Sequence, residues 1–349
     1  MRVFVTGGAG FIGSHLADRL VARGDDVVLL DNLQTGRREN IAHLIEPGAV
    51  EFVEGSVLDR GLVRELCSGA DVVVHLASAV GVRLVIERPL ESLLGNVRGA
   101  DIVSEAATEA GARLLFASTS EIYGKVSDDC LNEHSDRIVG SPQTARWGYA
   151  TAKVFGEMLA YGYHRSGGAE TIVVRFFNTV GPRQTGTYGM VIPRLVGQAL
   201  IDENLTVYGD GRQTRCFGHV ADAIDAVTGL LDGGPELCGR PFNVGNRNNE
   251  ISIADLAQRI IDRTGSRSKI RLVPYDEVFG DGFEELGKRK PDTSALRNAI
   301  GWEPTRDIDT VIDDVVRHLA VMRDSLPSRL YGSRTRDREP SRELTDEAS

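Results

Sequence analysis

The chain has 349 residues, with 40 Lys and Arg against 50 Asp and Glu for a formal charge of −10, 41% hydrophobic residues, 39 Gly and 4 Cys. That mixture excludes a disordered or collagen-like chain. The acid excess, with no basic run longer than Lys288-Arg289-Lys290, argues against nucleic-acid binding, which needs clustered cations on phosphates. At roughly 150 residues per domain, the length allows two domains or one large α/β unit. Cys67, Cys130, Cys216 and Cys238 form no CxxC pair and the seven His form no HExxH. Neither a disulfide framework nor a zinc site is therefore expected, and a reducing cytoplasm fits. Met1 to Val5 runs straight into glycines, and no stretch approaches 18 apolar residues, which predicts neither a signal peptide nor a membrane span.

In chain order, β-branched runs at 3–6, 27–31, 50–53, 72–76, 114–118 and 171–175 alternate with helical patterns. Strands separated by helices predict a parallel, doubly wound sheet. Between the first two, Ile12, Leu16 and Leu20 recur every fourth residue while Asp18 and Arg19 fall on the other side, the pattern of a helix packed on the sheet. After Gly181-Pro182-Arg183 the pattern loosens around Gly209-Asp210-Gly211 and Gly233-Gly234-Pro235, which reads as a smaller lobe closing over the sheet. The expected division is 1–180 for a cofactor-binding domain, with a strand and helices returning to it from 215–250, and 181–320 for a substrate lobe. From 325 to 349 the chain is rich in Arg, Asp, Glu and Ser, and disorder is expected there.

Gly7, Gly10 and Gly13 follow the first strand and open the first helix. One glycine allows a sharp turn, another lets backbone approach a pyrophosphate, and a third lets helix and sheet pack closely, while the helix N-terminus offers unpaired N–H groups. Asp31 ends the second strand, where a carboxylate accepts from both adenosine ribose hydroxyls and repels a 2′-phosphate; this favours NAD over NADP. The bland readings are a glycine turn without ligand and a turn-capping Asp31. The third and fourth strands end in Ser56-Val57 and His75-Leu76-Ala77-Ser78, at the sheet edge where dinucleotides bind; His75, within its strand, reads as a core histidine.

Ser118-Thr119-Ser120-Glu121-Ile122-Tyr123-Gly124 ends the fifth strand, and Tyr149 precedes Lys153 by four residues, which puts both on one helix face. A phenol of ordinary pKa about 10 is a poor base at neutral pH unless a nearby ammonium and the positive nicotinamide ring stabilise its anion. Tyr149 could then take a hydroxyl proton, with Thr119 bonding the reacting oxygen. An exposed helix face is the bland alternative.

The ordered set GxxGxxG, Asp31, HLAS, STSEIYG, YxxxK, Arg175-Phe176-Phe177-Asn178, Gly181-Pro182-Arg183, Tyr208-Gly209-Asp210-Gly211 and Gln213-Thr214-Arg215 resembles the extended short-chain dehydrogenases of the NAD-dependent epimerase/dehydratase type over about residues 1–320. The resemblance implies a Rossmann-type sheet with a C-terminal nucleotide-sugar lobe, and a homodimer paired through the helices after Asn96 and around Tyr149. It implies NAD held by Gly7, Gly10, Phe11, Ile12, Gly13, Asp31, Asn32, Thr35, Gly36, Ser56, Val57, Leu76, Ala77, Ser78, Asn96, Tyr149, Lys153 and Phe176. Thr119, Tyr149 and Lys153 become the catalytic set, and Asn178, Arg183, Val191, Tyr208, Arg215 and Arg289 the binders of a nucleotide-diphosphate sugar. Arginine suits phosphate because its fork matches two oxygens; a surface salt bridge is the alternative for Arg215 and Arg289.

Thr119-Ser120-Glu121 lacks the acid of the 4,6-dehydratases and, with Lys288-Arg289-Lys290-Pro291-Asp292, is similar to the nucleotide-glucuronate decarboxylases. The resemblance thus implies decarboxylation of UDP- or dTDP-glucuronate to the nucleotide-pentose through a 4-keto intermediate, with Ser120, Glu121 and Arg289 joining the catalytic set. A 4-epimerase, a 4,6-dehydratase and a non-catalytic NAD-binding sensor are the other readings.

Overall fold

The computed structural model describes all residues except 80–87, 127, 145, 187–189, 280–283, 285–288, 327–329 and 331–349. Strands β1 (Arg2–Thr6), β2 (Asp26–Asp31), β3 (Glu51–Glu54), β4 (Val72–His75), β5 (Arg113–Thr119) and β6 (Thr171–Phe176) form one sheet. It is completed by β11 (Arg240–Val244), in the order β11-β6-β5-β4-β1-β2-β3. Every pairing is parallel, with Thr6 opposite His75 and Thr119 opposite Phe176. Because β1 lies between β2 and β4, the crossovers leave it in opposite directions and a crevice opens above its C-terminal end. The middle residues of the central strands β1, β2, β4, β5 and β6 are largely apolar and buried, as strands covered on both faces require.

Helix α1 (Phe11–Arg23) starts at Gly10 with no side-chain cap and ends at Gly24 in the left-handed region, φ +84°. Leu16 and Leu20 are fully buried against the sheet. Ile12, the first residue of that periodic set, is only partly buried and faces the crevice instead. Helices α2 (Ala42–Ile45), α3 (Arg60–Cys67), α4 (Pro89–Ala110) and α5 (Arg146–Arg165) follow. The last two lie side by side, with Gly156 of α5 placed so close to Phe116 that a Cβ would stand 2.6 Å from its ring.

Beyond β6 come β7 (Thr179–Val180), α6 (Val191–Leu200), β8 (Leu205–Tyr208), β9 (Thr214–Cys216), β10 (Gly218–His219) and α7 (Val220–Asp232). After β11 the chain continues through α8 (Ile253–Thr264) to α9 (Ser294–Ile300) and α10 (Ile308–Ala320). A second apolar core joins Ile192, Leu195, Leu205, Leu256, Ile260, Val311 and Leu326. The first core also contains residues of α7 and β11, together with Leu296 and Trp302. Trp302 is held because its indole donates to Asp222 O at 2.9 Å. Order extends past 325: Leu326 and Leu330 are buried, and Leu330 lies so close to Gly197 of α6 that a Cβ there would stand 2.9 Å from it. The rest of the segment expected to be disordered lies outside the described residues. Among the described residues no helix is long and apolar enough to cross a membrane.

Candidate active site

A cleft of about 480 Å³ runs along the C-terminal edge of the sheet. Its floor at one end is the turn after β1, where two of the three motif glycines are sterically required. A Cβ on Gly13 would stand 2.1 Å from Gly7 O, one on Gly7 2.8 Å from Ala77 N, and Gly7 itself adopts φ +74°. With no side chain over the first turn of α1, its N–H groups are left for a ligand. Phe11, Ile12, Gly10, Asn32, Thr35, Ser56, Val57, Leu76, Ala77, Ser78, Asn96 and Phe176 all line the cleft.

Asp31 also lines it. Its carboxylate accepts from Ala9 N at 3.0 Å and Leu33 N at 2.8 Å, so the turn-capping role is real. A carboxylate offers about four lone-pair sites, which leaves acceptor capacity for ribose hydroxyls. Burial raises its pKa, opposed by the N–H groups of Leu33, Ala9 and Gly10. Gly36 is not in the cleft wall but abuts this carboxylate, where a Cβ would stand 2.7 Å from both oxygens. Asn96 grips the opposite rim: its side chain accepts from Ser78 Oγ at 2.7 Å and Ala79 N at 3.2 Å. His75 is a core histidine with Nδ1 2.8 Å from Thr6 Oγ1, and burial together with Lys153 pushes its pKa down to about 3.

At the other end, β5 and α5 bring together Thr119, Ser120, Glu121, Tyr149 and Lys153. Glu121 N donates to Thr119 Oγ1 at 3.2 Å, which occupies an acceptor site and leaves the hydroxyl proton of Thr119 to be donated elsewhere. Arg289 arrives from the C-terminal lobe, its Nη1 3.7 Å from Glu121 Oε1 and 3.4 Å from Ser120 Oγ. Lys153 is buried, bonded through Nζ to Ala117 O at 2.9 Å, and burial lowers its pKa to about 8 against the opposing charge of Glu157. The Tyr149 phenol, expected to be stabilised as an anion by Lys153 together with the nicotinamide ring, is held neutral by the protein's own groups. Burial, and then the Glu121 carboxylate, raise its pKa, while hydrogen bonding from Ser78 and Thr119 opposes them; at rest it is a neutral phenol.

The substrate-lobe residues divide. Asn178 lines the cleft, at φ +36° with its amide donating to Cys216 O at 3.1 Å. Among the described residues Val191, Tyr208 and Arg215 do not reach it. Val191 begins α6, Tyr208 stacks under Arg194 at 4.3 Å, and Arg215 donates to Thr214 O at 2.7 Å. Arg183 is a correction: at φ +66° its side chain turns back to α1 and pairs with Asp18 at 2.8 Å, lining a separate small cavity. Lys288 lies outside the described residues. Sequence reading missed Gln34, Gly55, Leu58, Glu91, Gly95, Ser118, Thr179, Gln184 and Met190, all of which line the cleft. Gly55 and Ser118 stand at strand ends, a position that signals such a site, whereas nothing local marks Gln184 or Met190.

The sequence model of the NAD dependent epimerase/dehydratase family matches residues 3–245. A UDP-N-acetyl-alpha-D-glucosaminuronate decarboxylase of Bacillus cytotoxicus is 41% identical over 87% of this chain and 92% of its own length. UDP-glucuronic acid decarboxylase 4 of Arabidopsis thaliana is 38% identical over 87% of this chain, which spans 65% of that relative. Among solved structures, a UDP-glucuronic acid 4-epimerase from Bacillus cereus, in complex with UDP-glucuronic acid and NAD, superposes with a TM-score of 0.83 at 26% identity. It covers 92% of this chain and all of that one.

Proposed function

The chain belongs to the NAD dependent epimerase/dehydratase family, and from that premise we propose that it decarboxylates a nucleotide-linked uronic acid to the corresponding pentose. The observation that carries this reading is Arg289 Nη1 lying 3.7 Å from Glu121 and 3.4 Å from Ser120 beside Tyr149. That pairing sets a guanidinium where a sugar carboxylate would need one. UDP- and dTDP-glucuronate are the candidate substrates, and the 41% identical relative adds the 2-acetamido uronate.

The glycine turn, the open first turn of α1 and the Asp31 carboxylate suit NAD, with Ser78 and Phe176 flanking it. Held there, NAD would supply the hydride acceptor for C4 of the sugar and the donor for its later return, so the net reaction would consume no oxidant. Tyr149 acts as the phenolate formed when its own proton passes to solvent, an ionisation that the Lys153 ammonium and the positive ring of a bound cofactor would favour; it takes the C4 hydroxyl proton, and Thr119 donates to the same oxygen. A ketone at C4 makes the C6 carboxylate a β-keto acid. Loss of CO₂ leaves its electron pair as an enolate on the C4 oxygen, where the Thr119 hydroxyl and the Tyr149 phenol, which by then carries the C4 proton, act as hydrogen-bond donors. Arg289 orients the carboxylate before it leaves, and Glu121 with Ser120 positions a water or the ring for reprotonation at C5. Tyr149 then returns its proton to the C4 oxygen.

We also read the molecule as a cytoplasmic homodimer. Phe155 and Met158 on α5 and Leu90 on α4 are exposed at 47, 66 and 66%, a pattern that suits pairing of these helices between copies. The four cysteines are free thiols, which suits a reducing compartment.

The test is incubation with NAD and UDP-glucuronate, or the 2-acetamido analogue, followed by mass measurement of the sugar nucleotide. Loss of carbon dioxide with a pentose product is expected. An unchanged mass with inversion at C4 would make the enzyme an epimerase. Glu121→Gln is expected to slow CO₂ release; full release in that variant removes Glu121 from the mechanism.

A further inference from the structure

Tyr149, Lys153 and Glu157 follow at four-residue intervals on α5, so one helix face carries phenol, ammonium and carboxylate in line. Glu157 is 3% exposed and lies behind the cleft. Arg175 of β6, 1% exposed, grips it with both arms of the guanidinium, Nε to Oε1 at 2.9 Å and Nη2 to Oε2 at 2.8 Å. The remaining Nη1 donates to Tyr123 Oη and to Glu133 O, each at 2.9 Å. Tyr123 Oη in turn donates to Asn243 Oδ1 at 2.7 Å, and the Asn243 amide donates to Leu131 O and Asp292 O. One hydrogen-bonded network therefore ties the helix of Tyr149, the turn of Ser120 and Glu121, and the segment that follows Arg289. A buried ion pair is a weak source of net stability compared with apolar packing, so stability alone is a poor reason to keep one behind a reaction site.

We propose that Glu157 is a positioning residue for the reaction: clamped by Arg175, it presents a fixed negative charge one helical turn behind Lys153 and keeps that lysine in its ammonium form. The proposal rests on reading the cleft as the reaction site. Lys153 is 4% exposed, and burial drives its pKa down to about 8, with Glu157 as the opposing charge. The other titratable groups around Lys153 are Tyr149 on its own helix, neutral at rest, His75 on β4, which burial also keeps neutral, and Glu121 beyond the phenol. Glu157 itself faces Tyr161 on its own helix, Arg137 at 3.5 Å from the preceding loop and Arg175 from β6.

The experiment compares E157Q, E157D and the native holoenzyme by two readouts. The first is the ¹³Cε resonance of Lys153 against pH in lysine-labelled protein, identified by its loss in K153M. In E157Q the ratio of neutral to ammonium Lys153 at a given pH is expected to rise about tenfold, and E157D should restore it. The second is turnover, where E157Q is expected to lose kcat several-fold at pH 8 with KM for the sugar nucleotide unchanged. Should E157Q fail to fold, E157Q/R175M removes both charges together, the kind of exchange buried pairs tolerate, and a rise in the same direction is expected, smaller because the Arg175 cation is lost as well. An unchanged Lys153 titration in whichever variant folds overturns the proposal. The resonance readout needs no substrate, so it stands apart from any failure of the decarboxylase reading.

Discussion

Lys153 and Tyr149 share a burial that acts on them in opposite senses, because desolvation disfavours whichever form is charged. The lysine is brought down to about 8 and the tyrosine is pushed up. Below about pH 8 Lys153 carries its proton; as pH rises through that value the ammonium that supports a Tyr149 anion is lost. Turnover is therefore expected to decline above about pH 8, to be read from a kcat profile between pH 6 and 10. Tyr149→Phe removes the proton acceptor while keeping the ring, and kcat should fall by about 10²–10⁴-fold with the bound cofactor retained, measured on denatured protein. At this scale the sequence was legible where chemistry demands a residue type at a strand end or helix face: Thr119, Glu121, Tyr149 and Lys153 do meet. Arg183 was misread because its backbone at φ +66° reverses the side chain toward Asp18, which residue type does not encode.

A single added methyl group would damage the turn between β1 and α1. At Gly13 a Cβ would stand 2.1 Å from Gly7 O and 2.9 Å from Gly7 C and Gly8 Cα, all backbone atoms, so no rotamer change relieves it. Gly13→Ala is expected to part the turn from the helix and abolish NAD retention, with a lower melting temperature as a second readout. Gly24→Ala, at the other end of α1, meets nothing within 4 Å; its cost is confined to the left-handed backbone, about 1 kcal/mol. Six strands of the main sheet were legible from their β-branched runs, since strands covered on both faces need continuous apolar sequence. β11 was harder, because Arg240-Pro241 begins it and only Phe242 and Val244 are apolar residues buried on the sheet.

On the scale of the whole molecule, the chain crosses more than once between the core of the main sheet and the second core. Asp222 of α7 bonds Thr305 and Arg306 just before α10 enters the second core. Leu326, 1% exposed in that core, seats the end of the described chain; Leu326→Ala should cost about 2–5 kcal/mol, seen as a lower urea midpoint. Replacing the exposed Phe155 and Met158 by Asp should leave folding intact and convert the expected dimer to a monomer in light scattering. The sequence by itself determined the parallel sheet, the glycine turn with its carboxylate, and the residue types of the reaction centre, because period, strand ends and helix spacing are local. Only the tertiary structure decided that Arg289 meets Glu121, that Tyr149 rests neutral, and that Arg175 locks Glu157 behind Lys153. Those depend on burial and on contacts between distant segments, and no short stretch of sequence carries either.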